Sequence, residues 1–154
     1  MQTLVLTVHI AAGSLGLVLG PVVMWLGTRQ LQAGRRGLTP MSDAYIGAVL
    51  MVCLSAVVLV VQGRPDLAWL ITVAVFSAFL VVLARVAATR RFAGWTHAYV
   101  HGQGGSYISL VTALLVVALT VGGPVGGTAQ VVPWVLPTLI GVPLVEWWRR
   151  RLTP

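Results

Sequence analysis

Five stretches of nearly unbroken apolar residues, at about 4–26, 45–61, 67–88, 103–121 and 131–148, leave this chain few ways to fold. Each comes close to the roughly 20 residues that a helix needs to cross about 30 Å of hydrocarbon. The expectation is an all-α integral membrane protein, a bundle of about five transmembrane helices forming one domain over residues 1–154. Charge agrees, because only 8% of residues are charged where a water-soluble domain carries about 25%. Mean hydropathy is +0.94. The net charge of +7 comes from ten arginines set against Asp43, Asp66 and Glu146. Such basicity can mark a nucleic-acid binder, but these arginines sit in short clusters between apolar blocks, which excludes that reading. The lone Cys53 lies inside an apolar run, so an intramolecular disulfide is ruled out. The first stretch lacks a basic n-region and an A-x-A-like cleavage site, and reads as a retained span.

The segments between the spans predict an orientation. Arg29, Arg35 and Arg36 follow the first span, Arg85, Arg90 and Arg91 close the third, and Arg149, Arg150 and Arg151 close the fifth, leaving Arg64 alone on the other side. By the positive-inside rule the clustered side is cytoplasmic, which puts the N-terminus out and the C-terminus in. Tryptophans give the same division: Trp25, Trp95, Trp147 and Trp148 mark the inner interface, Trp69 and Trp134 the outer one.

Within the spans, small residues mark packing faces. His9, Gly13, Gly16 and Gly20 fall within about 60° of one another on a helical wheel, and this face is expected to look into the bundle. In the fourth span Gly102, Ser106, Ser109 and Ala113 form a small-residue face opposite His97, His101, Gly104, Ile108 and Thr112. The fifth span carries Pro133, Pro137, Gly141 and Pro143 and is expected to be kinked or broken. The loop from Gly122 to Thr128 is an uncharged, flexible outer turn.

The run His101-Gly102-Gln103-Gly104-Gly105-Ser106-Tyr107-Ile108, with Leu110-Val111-Thr112-Ala113 and then Leu136 to Leu144, resembles the end of a bacterial family of small multi-pass membrane proteins of unknown function. His9-Ile10-Ala11-Ala12-Gly13 with Gly20-Pro21 is similar to that family's first span. The family commonly has a His-Arg pair before its second span, where this chain has Leu38-Thr39-Pro40-Met41-Ser42-Asp43, so no second-span histidine role carries over. The resemblance implies a multi-pass protein of the bacterial cytoplasmic membrane, with no reaction attached.

The expected orientation brings Asp43, His97, His101 and Glu146 to the inner ends of their spans, with Tyr45, Tyr99, Gln103 and Tyr107 nearby. Ionisable residues at membrane depth are functional candidates by default. His97 and His101, at i and i+4, share one helix face, the spacing at which two imidazoles reach one metal and a carboxylate completes an open site. An imidazole beside a carboxylate also suits general acid–base chemistry near neutral pH. The plain alternative leaves the histidines hydrogen-bonded at the interface and pairs Glu146 with Arg149 or Arg150. A haem held between His9 and His97 or His101 would make this a small cytochrome. Depth opposes it, since at 1.5 Å per residue His9 and His101 differ by on the order of 20 Å along the membrane normal. More modestly, His9 bonds across the bundle or lines an outward cavity.

Two functional classes follow. One is a membrane-embedded small-molecule-binding protein or enzyme that takes an apolar substrate from the lipid bilayer into a cytoplasmic-side pocket. There His97 and His101 would be acid–base or metal-binding groups, Asp43 or Glu146 their partner, and Gln103 or Tyr107 orienting donors. The other is a non-enzymatic transporter or accessory subunit that forms homo-oligomers through its glycine-rich faces.

Overall fold

The computed structural model describes residues 2–33, 39–63, 65–121 and 123–152. They form five helices and, among the described residues, no strand: α1 (Gln2–Gln32), α2 (Pro40–Gly63), α3 (Trp69–Arg90), α4 (Trp95–Thr120) and α5 (Val131–Leu152). Each is long and apolar enough to cross a membrane. Short 3-10 turns at Pro65–Leu67 and Gly127–Gln130 lead into α3 and α5. Arg35 and Arg36, part of the orientation argument, lie outside the described residues, as do Arg64 and Gly122.

Local chemistry sets several helix ends. At the start of α2 the Thr39 hydroxyl accepts the Ser42 backbone N–H at 3.1 Å, and Pro40 opens the helix where its missing N–H costs nothing. The turn from α3 to α4 needs two left-handed residues, Arg91 (φ 45°) and Gly94 (φ 79°), and only the glycine adopts that conformation without strain. Several helices outrun the apolar stretches that mark them. α1 continues through Thr28, Arg29 and Gln30, and α4 begins eight residues ahead of Gln103, at Trp95. Polar side chains at membrane interfaces keep helical backbone bonds and reach water with their tips.

The expected break in the fifth span is absent, and α5 is one helix. Pro133 falls in its first turn, where the N–H has no helical partner anyway. Pro137 and Pro143 each delete one backbone bond, and the bonds on either side carry the helix through.

Consecutive helices pack on one another, α1 on α2, α2 on α3, α3 on α4 and α4 on α5, and α4 also reaches α1. Glycines set the spacing. A Cβ on Gly102 would stand 2.6 Å from the Leu80 carbonyl oxygen and 2.9 Å from the Ala84 nitrogen, so α3 and α4 touch backbone to backbone. Gly20 and Gly27 of α1 seat the rings of Tyr107 and Tyr99, and Gly104 and Gly141 receive Val145 and Ile108 across the α4–α5 seam. The first-span face does look inward: His9 meets Ser55, Gly13 meets Val52 and Gly16 meets Leu110. At the end away from the arginine clusters, Trp69 and Trp134 lie 4.8 Å apart between ring centroids. α1 and α5 run in the same direction yet barely touch, leaving a gap floored by α4.

Candidate functional site

The four titratable groups expected to converge take separate partners. Asp43 pairs with Arg85, tying the start of α2 to α3. Glu146 accepts from Arg149 at 2.7 and 2.8 Å and from Arg150 at 2.9 Å, all within α5. Among the described residues no three of His, Cys, Asp or Glu gather where they could hold a metal ion. The physical reason is distance in sequence against distance in charge: each carboxylate has an arginine within reach, and a guanidinium binds it more strongly than an imidazole does.

His97 and His101 do share a face, because α4 runs unbroken through Gly102 to Gly105. Their rings stack with centroids 3.9 Å apart. The His97 carbonyl can only accept, so the Nδ1–H of His101 donates to it at 3.1 Å and Nε2 is left as the acceptor. His97 is exposed and His101 half-buried.

The aromatic and amide candidates lie on the seams between helices. Tyr45 is fully buried with its hydroxyl 2.9 Å from Ser106 Oγ. Ser106 gives its own proton to the Gln103 carbonyl at 2.9 Å, so Tyr45 is the donor in that α2–α4 bond. Tyr99 is buried against the edge of Trp148, with centroids 5.9 Å apart. Tyr107 donates to the Leu17 carbonyl at 3.4 Å. Gln103 lies one turn from Tyr99 and from Tyr107, is 2% exposed, and its Nε2 has no hydrogen-bond partner among the described residues. With Tyr107 beside Gly20 and Tyr99 beside Gly27, the antiparallel register puts Gln103 opposite the Val23 turn of α1.

His9 is half-buried near the other end of the bundle, with Nδ1 2.9 Å from Ser55 Oγ. The Ser55 hydroxyl donates to the Met51 carbonyl at 2.6 Å, so His9 is the donor to serine. The same register makes His101 level with about residue 25 of α1, some 16 residues from His9 or roughly 24 Å at 1.5 Å per residue. No single haem iron spans that separation.

A large concavity lies elsewhere, in the gap between α1 and α5. It is a groove of about 660 Å³ with Pro21, Met24, Trp25 and Thr28 on one wall. Leu136, Pro137, Ile140, Leu144, Trp147, Trp148 and Arg151 form the other, and Gly104, Tyr107, Ile108, Val111 and Leu115 the floor. At the arginine-rich end the Trp148 indole N–H donates to Thr28 Oγ1 at 2.6 Å, a direct bond between the walls. There the Arg29 guanidinium lies 3.9 Å from the Trp25 ring centroid, and Arg151 lies 3.7 Å from that of Trp147.

Of the candidate residues, only Tyr107 lines this groove; His97 and His101 do not. Trp25, Trp147 and Arg151 enter the sequence reading only as markers of the interface and the orientation, and Thr28 and Ile140 are not among its candidate site residues. A signal for them exists in the repeated Trp-x-x-x-Arg spacing of Trp25 to Arg29 and Trp147 to Arg151. Reading it requires knowing that the first and last helices stand side by side. Comparison with protein-family models, with curated proteins and with solved structures finds no match to this chain.

Proposed function

We propose that this protein binds an apolar small molecule that enters from the bilayer and lies in the groove between α1 and α5. The observation that carries this reading is the groove itself: about 660 Å³, within the roughly 300–1,000 Å³ of small-molecule sites. Its walls are largely apolar, with Thr28 and Arg151 at one end and Tyr107 on the floor. In this reading the arginine-rich end faces the cytoplasm and the N-terminus lies outside, as the distribution of arginines favours, in the cytoplasmic membrane that the family resemblance implies. His97 and His101 stand outside the groove, so the reading makes the protein a binder and gives them no role in holding the ligand.

The test is mass spectrometry of whatever co-purifies in mild detergent. A near-stoichiometric apolar compound is expected with the wild type and with His97→Ala/His101→Ala. Ile140→Trp should lose it, because Ile140 lines the groove and is 55% exposed, leaving room for the indole to fill the site without disturbing the core. Retention of the compound by Ile140→Trp with the helical circular-dichroism signal intact would remove the groove as the site.

A further inference from the structure

The groove is chemically lopsided. Leu136, Ile140 and Leu144 of α5 and Val111 and Leu115 of α4 offer nothing but hydrocarbon, and Arg151 is the only charged residue in the lining. From Leu136 to Arg151 the groove follows α5 for fifteen residues, roughly 22 Å at 1.5 Å per residue. That exceeds the thickness of one hydrocarbon leaflet, about half of 30 Å. A chain-shaped apolar body fits such a slot better than a compact one.

At the charged end both walls carry the same device. Arg29 lies over Trp25, and Arg151 over Trp147, each four residues on from its tryptophan. A guanidinium resting its face on an indole keeps its edge N–H groups, which form the fork that fits a phosphate oxyanion. The nearby carboxylates are committed elsewhere, Asp43 to Arg85 and Glu146 to Arg149 and Arg150. Among the described residues no carboxylate forms an ion pair with Arg29 or Arg151. Arg151 lines the mouth of the apolar slot, and Arg29 lies on Trp25 of the facing wall. The complementary ligand is a long hydrocarbon with an anion at one end.

Resting on the reading of the groove as a small-molecule site, we infer that its occupant is an anionic phospholipid of the surrounding bilayer. One acyl chain lies along α5, and the phosphate sits between Arg29 and Arg151. The Thr28–Trp148 bond closes the wall beneath the headgroup, and Trp25 and Trp147 hold the two arginines in place. Bulk lipid has no reason to stay bound; this one is retained by charge at the mouth and by hydrocarbon contact along the slot.

The experiment reconstitutes the full chain in vesicles of equal parts phosphatidylglycerol and phosphatidylcholine, extracts it gently and counts retained lipids by native mass spectrometry. Wild type is expected to retain one phosphatidylglycerol in about tenfold preference to phosphatidylcholine. Arg29→Gln/Arg151→Gln should bring the ratio near one, Arg90→Gln should leave it unchanged, and Ile140→Trp should lose both lipids. If the preference is missing, or survives Arg29→Gln/Arg151→Gln while Ile140→Trp still abolishes binding, the headgroup assignment is overturned and the groove stands. If Ile140→Trp retains the lipid, the groove reading and this inference fall together. A homodimer that Ile140→Trp splits would also overturn both, by making a second copy of the chain the occupant.

Discussion

The Gln103 side chain is the one buried side-chain amide nitrogen among the described residues left without a partner. Leaving such a group unsatisfied costs about 1–3 kcal/mol. Gln103→Met keeps length and volume while removing the amide, so it is expected to raise stability by about 1 kcal/mol. Thermal unfolding in detergent, followed by tryptophan fluorescence, reads the change; a lower midpoint would overturn the assignment of the amide as unsatisfied. Tyr45 and Ser106 show the opposite case, a buried pair in which every proton has a destination. These roles were not legible in sequence, where Gln103 and Tyr45 both look like site residues because both are polar at membrane depth. What distinguishes them is which neighbour from another helix stands opposite, and no spacing within α4 reports that. Asp43 and Glu146 stay apart from the histidines for a related reason: a side chain takes a partner within a few ångströms, Arg85 for Asp43 and, as the plain alternative had it, Arg149 and Arg150 for Glu146.

At the scale of the helix, glycine has two opposite meanings that separate experimentally. Gly102 sits against the backbone of α3, so Gly102→Ala must push the helices apart and is expected to cost about 1–3 kcal/mol, the range for overpacking. Gly47 has nothing within 4 Å of its would-be Cβ, so Gly47→Ala is expected to be neutral or to gain up to about 1 kcal/mol from helix propensity. Urea or detergent-denaturant unfolding of the two variants side by side checks the difference in sign. Helix number was legible in sequence because bilayer thickness fixes the length of an apolar run, whatever the run packs against. Helix ends were less so: the polar, glycine-rich approach from Trp95 falls ahead of the expected fourth span, yet it is helical and its glycines Gly102, Gly104 and Gly105 are contact points for α3 and α5. The continuity of α5 was hidden likewise, since two prolines predict a break only when the lost bonds outweigh those that remain.

On the scale of the whole bundle, each helix packs on its neighbours in sequence, and α4 closes the ring by touching α1. α5 is anchored on α4 and crosses to α1 chiefly through Trp148 and Thr28. Removing that donor with Trp148→Phe is expected to raise amide exchange in the last two turns of α5 about threefold, in keeping with the roughly 0.6 kcal/mol of a typical interhelical bond in a membrane. Exchange in α2 and α3 should not change, and hydrogen–deuterium exchange mass spectrometry resolves the two regions. The groove was beyond reach of the sequence for the same reason that it exists: its walls are the two helices farthest apart in the chain. That placement also bears on how the protein is made. A ribosome delivers the chain from the N-terminus, so α1 to α4 have all their mutual contacts at hand before α5 is synthesised. α5 arrives after them and meets their surface along α4, with the seam beside α1 left open.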